Sequence, residues 1–443
     1  ETPAVVDAFP PVVVDLPPPT GAPTIVAMPP TSLPPPSLMP ATSPAPAAIG
    51  SRITATFEDL SSSGVPIKRG LAAAVLLAGG TIAALDSRRR QQLRSACIGA
   101  RMLAPTEQEV DTEATLRSLT AADRLARLDL ALRCAAPGLA RQQARALAAE
   151  IADDGGICLY TDRRAAEVAP HWVVDAESGA WRLPAKVTLA EMADDARRAN
   201  QPCPAIIHIG ESAGGQLFVD LEAIGLLTVD AEPAVSASIV RCAAASLAVS
   251  PFAESARIFT VGVEVEAQLG SPTVEAHDSV AAAVDAARAT IGSIATATSG
   301  TVTTFALRAS VRGGEDWEPS LLLAIGADDP DDLALLMSFA RGGGRGVGAM
   351  VDRAVAGSAA VLRADGAEFV LDPLGLRVVP VGLSATELIA VDDLLERAER
   401  TLTADLDAEV VLPLNDATEF AEHVHQLVVH VLGHVAVQTG SGE

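Results

Sequence analysis

The sequence predicts an α/β protein in which a mainly parallel sheet is covered by helices, preceded by a disordered Pro-rich arm, one transmembrane helix and a short helical region. Three observations lead there. From residue 226 onward, short apolar, β-branched runs alternate with segments of helical periodicity, the pattern of strands joined by helical crossovers. Hydrophobic residues fill 49% of the 443 positions, enough for a sizeable core. Residues 1–48 hold fifteen of the thirty prolines and have no apolar pattern with which to join that core.

The arm, residues 1–50, contains runs such as Pro17-Pro18-Pro19 and Pro34-Pro35-Pro36 and reads as an extended polyproline II spacer outside the cytoplasm. Residues 51–102 carry the apolar run Gly70–Leu85, followed by Arg88, Arg89, Arg90, Arg94 and Arg101, with only Lys68 and Arg69 immediately before it. Basic residues collect on the cytoplasmic side of membrane helices. The expected topology is therefore a single pass in the cell membrane, with the N-terminus outside and everything after about residue 87 inside. The run would be about 24 Å long at ~1.5 Å per residue, against a hydrocarbon slab of about 30 Å, so it spans only with thinning or snorkelling. Arg88, Arg89, Arg90 and Arg94 would hold the helix to anionic lipid. The competing reading is a buried Ala-rich core helix, which Gly79-Gly80 would suit.

Residues 103–150 read as a helical hairpin. Leu116, Leu119, Leu125, Leu128, Leu130 and Leu132 interleave with arginines, and Pro137-Gly138 interrupts the pattern. In the α/β region, 151–358, strands are expected at 157–160, 171–174, 205–209, 217–220 and 226–229, the last leading into a helix over 233–249. Strands at 256–263, 320–325 and 346–354 then alternate with helices at 279–291 and 330–341. Residues 359–425 give a small β-rich stretch, 359–381, and a helix, 385–401. Residues 426–443 hold one more apolar strand, 427–437, read as the opening of a domain that is cut short.

The formal charge of −24 repels nucleic acid phosphates, and no basic patch follows residue 102. Direct nucleic acid binding is not expected, and aromatics at 3% of residues offer no stacking platform. The cysteines, Cys97, Cys134, Cys158, Cys203 and Cys242, form no C-x-x-C pair and suit a reducing compartment. Glu1 rather than Met opens the chain, which points to a fragment or a processed protein.

The segments nearest to known chemistry are incomplete. The strand at 226–229, the loop Asp230-Ala231-Glu232-Pro233-Ala234-Val235-Ser236-Ala237 and the following helix have the order of a phosphate-binding loop. The loop has neither the glycines that let backbone N–H groups reach phosphate nor a lysine, and Lys186 is the last lysine of the chain. Arg341-Gly342-Gly343-Gly344-Arg345-Gly346-Val347-Gly348 has a dinucleotide-like spacing but follows a helix, so a helix-to-strand turn is expected. Ser212 in Gly210-Glu211-Ser212-Ala213-Gly214 approximates a nucleophile elbow, yet a strand follows at once, and a β-hairpin turn is the better reading. His423, His425, His430 and His434 crowd the C-terminus; His423 and His425 are weak metal candidates, and no metal or other cofactor is expected.

Three pieces together resemble large actinobacterial membrane regulators that combine LysM modules with a winged-helix and bacterial transcriptional activation (BTAD) output. They are the Pro-rich spacer with its apolar run and Asp86-Ser87-Arg88-Arg89-Arg90 exit; the segments Arg124–Arg133, Trp181-Arg182-Leu183-Pro184 and Leu217–Leu227; and Leu427–Val437. The middle region also resembles a septal-translocase or type VII secretion ATPase core whose phosphate loop has degenerated, with Asp220-Leu221-Glu222 and Gly225 before the strand and Ser250-Pro251 after the helix. The resemblance implies a non-catalytic, membrane-tethered regulatory or interaction protein. Its partners would be membrane lipid and other proteins, with no small-molecule substrate, and it would link the envelope to a transcription-regulatory output. The alternatives are a divergent NTPase or a hydrolase using Ser212, or a soluble scaffold with residues 70–85 in its core.

Overall fold

A computed structural model describes residues 75–95 and 104–398, with breaks at 120–121, 166, 198, 264–270, 272, 299–301 and 311–316, and short strand segments at 68–69, 101–102, 401–402, 427–429 and 437–439. All belong to one unit, Ser61–Glu443. The Pro-rich arm lies outside the described residues.

The elements run β1 (Lys68–Arg69), α1 (Val75–Ser95), β2 (Arg101–Met102), α2 (Glu107–Leu119), α3 (Ala122–Arg141), β3 (Ala146–Ile151), β4 (Ile157–Thr161), β5 (Val173–Val174), β6 (Trp181–Leu183), α4 (Leu189–Ala196), β7 (Ile206–Ser212) and β8 (Gly215–Asp220). They continue with α5 (Leu221–Ile224), β9 (Leu226–Asp230), α6 (Pro233–Val249), β10 (Arg257–Val261), β11 (Val274–His277), α7 (Val280–Thr290), α8 (Gly292–Ala297), α9 (Thr304–Ala309), β12 (Ser320–Ala324), α10 (Pro330–Phe339) and β13 (Val347–Val351). Last come β14 (Ala360–Asp365), β15 (Glu368–Asp372), β16 (Leu376–Gly382), α11 (Ala385–Arg397), β17 (Thr401–Leu402), β18 (Leu427–Val429) and β19 (Val437–Thr439).

One large sheet has the order β11-β10-β12-β13-β9-β14-β15-β16-β7-β8-β3-β4-β6-β5, with β1 beside β16. The first six strands are parallel, with helices in the connections from β9 to β10, β11 to β12 and β12 to β13. From β14 onward the pairings in that order are antiparallel, so the sheet is mixed rather than mainly parallel as the sequence predicted. Short connections explain the difference. Only two or three residues separate β14 from β15, β15 from β16 and β7 from β8, too few for a crossover. Residues 146–151 belong to this sheet as β3, not to the helical hairpin expected through Glu150. Pro137 sits inside α3 near its last turn, where it forfeits one bond, to the Arg133 carbonyl, without ending the helix.

Side-chain alternation sends successive strand residues to opposite faces. On one face a single core runs under both halves of the sheet, where Ile207, Val219, Leu227, Val229, Leu321 and Leu323 meet α1, α6 and α11. The other face carries two cores. Ala149, Leu159, Trp181 and Phe218 pack under α3 and α4, and Phe259, Leu322 and Ala349 under α7 and α10.

Residues 75–85 of the run expected to cross a membrane form the first half of α1; residues 70–74 lie outside the described residues. Leu77, Ala78, Ile82 and Leu85 are buried in the core shared with α6, and Leu76 in the core with α3. Close approach selects Gly80, because a Cβ there would strike the Val249 carbonyl at the end of α6. Among the described residues no helix is long and apolar enough to cross a membrane. The expected transmembrane helix is thus corrected to a core helix, since the sheet supplies the apolar surroundings that the run requires.

Candidate functional site

Ligands of open, doubly wound sheets sit beyond the carboxyl ends of the parallel strands, where the strand order reverses. Here the chain leaves β9, passes through α6 to β10, returns through β12 to β13, and then places β14 on the far side of β9. The carboxyl end of β9 is therefore the reversal point.

Asp230 ends β9 exposed, and α6 starts only three residues later at Pro233. Its N-cap, exposed Glu232, makes no side-chain cap hydrogen bond. What the sequence offers as an eight-residue loop is a two-residue turn followed by helix, with Val235 and Ser236 buried. That turn cannot wrap a triphosphate as a glycine-rich loop does. Its two carboxylates also repel an anion.

Neighbouring strands supply two guanidinium groups. Arg363 on β14 is the register partner of Asp230 and pairs with Asp372. Arg353 lies two residues past the end of β13, pairs with Asp328, and sits 3.6 Å from Oδ1 of buried Asp352. The other Asp352 oxygen accepts from the Gly326 N–H at 3.0 Å, tying the ends of β12 and β13 together. Thr228 on β9 meets the Ser358 hydroxyl at 3.2 Å. Asp329 caps α10 by accepting from the Asp331 N–H, as expected of helix N-terminal acids.

A second polar cluster occupies the opposite edge, at the amino ends of β9, β12 and β13. Asp220 caps α5, accepting from the N–H groups of Glu222 and Ala223 at 3.0 and 3.2 Å. Glu222 takes a hydrogen bond from Arg308 at 2.6 Å, one from Thr304, and one from the Gly346 N–H at 2.8 Å. Its carbonyl accepts from the Gly344 N–H at 2.6 Å. Arg145 donates to the Gly343 carbonyl at 2.6 Å. The glycine stretch is thus a helix-to-strand turn, as the sequence predicted, with positive φ at Gly342, Gly343, Gly344 and Gly346 that L side chains rarely adopt. Burial, helped by the neighbouring Glu222 charge, pushes the Asp220 carboxyl up to about 6. Burial likewise lowers the Arg145 pKa.

Ser212 ends β7 at a hairpin. Its hydroxyl donates to the Glu150 carboxylate and accepts from the Gly214 N–H at 3.2 Å. Arg89 makes a two-pronged contact with Glu113 of α2 at 2.8 and 2.7 Å; Arg88 is half-buried on the same helix, and Arg90 and Arg94 are exposed. His423 and His425 lie outside the described residues, as do His430 and His434. Among the described residues no group of three His, Cys, Asp or Glu side chains could hold a metal. Arg308 and Thr304 escape sequence reasoning because they lie more than eighty residues from Glu222. A signal does exist, in two acids, Asp220 and Glu222, set within the apolar stretch Leu217–Leu227, since buried charge requires a partner.

No family model matches the chain, and no curated protein does. Among solved structures it is similar to the cytoplasmic domain of the Thermomonospora curvata type VII secretion ATPase EccC, at 14% identity and a TM-score of 0.29 over 49% of this chain and 35% of that one. It is also similar to the pCW3 conjugation coupling protein TcpA with ATPγS, at 11% identity and 0.32 over 60% and 99%. A third is EssC, ATPases 2 and 3, from Geobacillus thermodenitrificans, at 8% identity and 0.31 over 50% and 57%. The chain spans about a third of the EccC domain. Two of these are named ATPases and the other holds an ATP analogue, which runs against the expectation of a chain with no enzymatic activity. TM-scores near 0.3 carry nothing about site geometry.

Proposed function

We propose that the parallel half of the sheet is a divergent NTPase-type module whose nucleotide edge is the carboxyl end of β9, β10, β12, β13 and β14. The strand order carries this reading. With β9 entered first, the order β10-β12-β13-β9-β14 puts the strand–turn–helix unit of β9 and α6 at the reversal, where ligands of such sheets sit. Free N–H groups in the first turn of α6 attract an anion, and Arg353, just past β13, and Arg363, on β14, follow or lie on the strands either side of β9. These guanidinium groups take the place of the absent lysine, against the opposing charges of Asp230 and Glu232. No feature of the described residues favours a membrane-tethered regulator over this module.

Nucleotide binding by the full chain, followed with a fluorescent ATP analogue, and release of inorganic phosphate from ATP test the reading. Wild type should bind weakly. Glu232→Ser should tighten binding about fivefold, the effect of removing ~1 kcal/mol of repulsion between like charges in water, and Arg353→Ala should weaken it. Failure of both wild type and the Glu232→Ser variant to bind nucleotide saturably overturns the proposal.

A further inference from the structure

The core that underlies α1 and α6 ends before the sheet does. Ala148, Tyr160 and Leu217 still pack against it, but the cross-strand row that Leu217 begins runs on through Glu150 to exposed Arg182 and Val173. That row is fixed by register: Glu150 pairs with Leu217 on β8 and Cys158 on β4, Cys158 with Arg182 on β6, and Arg182 with Val173 on β5. Alternation puts Ala149, Leu159 and Trp181 on the other face, in the core under α3 and α4. A cavity of about 360 Å³ results, lined by Glu150, Ile157, Cys158, Val173, Arg182 and Leu183 among others. Its volume is that of a small-ligand site.

The charge of this cavity is unbalanced. The Glu150 carboxylate accepts from two neutral donors, the Tyr160 hydroxyl at 3.1 Å and the Ser212 hydroxyl, and has no ion pair among the described residues. The one guanidinium in the row, Arg182, is committed to Asp175 at 3.0 Å and is largely exposed. Asp154 adds a second acid to the wall. Burial pushes the Cys158 thiol up, which keeps it protonated and unreactive at neutral pH. A carboxylate held only by neutral hydroxyls beside apolar walls selects a cation with a hydrocarbon body, and the chain's net charge of −24 draws cations toward it.

We propose that this cavity binds an organic ammonium ion with a short apolar tail, the ammonium on Glu150 and the tail along Val173, Pro184 and Ala185. The site is separate from the nucleotide edge and does not depend on that reading.

Isothermal titration of the full chain with n-hexylammonium, beside hexanoate and 1-hexanol, tests the proposal. One saturable site for the ammonium is expected, with hexanoate not binding and hexanol binding far more weakly. Glu150→Gln should cost about tenfold in affinity, the scale of one charge-assisted contact. Arg182→Ala, at an exposed position that does not endanger folding, should tighten binding two- to threefold by removing a like charge. Absence of saturable binding, equal binding of hexanoate, an unchanged affinity in folded Glu150→Gln, or weaker binding in Arg182→Ala overturns it.

Discussion

Arg308 Nη1 donates to Glu222 Oε2 at 2.6 Å with both side chains only 2% exposed. The pair joins α9 to α5 across a separation of 86 residues. Glu222 spends its other oxygen on Thr304 of the same α9 and on the Gly346 N–H, and Arg308 reaches the Trp317 carbonyl, so the network ties α5 to α9, to the turn before β13 and to the segment before β12.

Removing one partner strands the other charge in the interior. Arg308→Met should therefore lower stability by about 3–5 kcal/mol in urea unfolding, whereas the double variant Arg308→Met, Glu222→Leu should recover a large part of that loss. Additive losses in the double-mutant cycle would show that the two side chains are not coupled.

Asp220 gives a pH dependence of definite sign. Its folded pKa of about 6 lies above the ordinary 3.8, so the native state binds the proton more tightly. The stability it contributes is full below about pH 3.8 and is lost as pH rises through 6, about 3 kcal/mol at ~1.36 kcal/mol per pH unit. Asn at 220 keeps the acceptor for the Glu222 and Ala223 N–H groups but carries no charge. Asp220→Asn should thus gain on wild type in melting temperature between pH 5 and pH 8; a difference that stays flat over that range would refute the assignment.

Gly80 distinguishes core packing from lipid exposure. Any side chain there meets the Val249 carbonyl, which cannot rotate away. Gly80→Leu should cost about 3 kcal/mol or more in a denaturant titration, at or beyond the upper range for overpacking. A helix facing acyl chains would accept the leucine without loss.

Arg89 and Glu113 are 31% and 13% exposed, so their contact is a partly wet one. Arg89→Ala should lower stability by only about 1 kcal/mol at pH 7 and low salt. The hydrogen bond from Arg89 depresses the Glu113 pKa below its ordinary 4.5. That contribution is present above 4.5 and is lost as pH falls through the depressed value, so wild type and variant should converge in acid melts.

Local pattern was legible wherever a segment's own periodicity chose its structure. The helix over 233–249 begins and ends where its apolar pattern and Pro233 predict, and the strands at 226–230, 257–261, 320–324 and 347–351 fall within three residues of expectation. The turns at Ser212 and at Gly342–Gly346 were readable from the helix and strand patterns that adjoin them. The phosphate-loop position was recognised from strand, loop and helix order.

The sequence by itself determined most of the elements from residue 226 to 351, the α/β class and the absence of a lysine at the candidate nucleotide edge, because propensity, side-chain period and composition are properties of the chain alone. Tertiary structure decided three other things: the mixed strand order, the burial of α1 against α6, and the partners of Glu222 and Glu150. An apolar run gains about the same from lipid as from a protein core, so its composition cannot choose between them. A Cβ clash with a carbonyl 169 residues away can. Buried charges likewise announce that a partner is needed, but which residue arrives is set by where the sheet brings distant strands together.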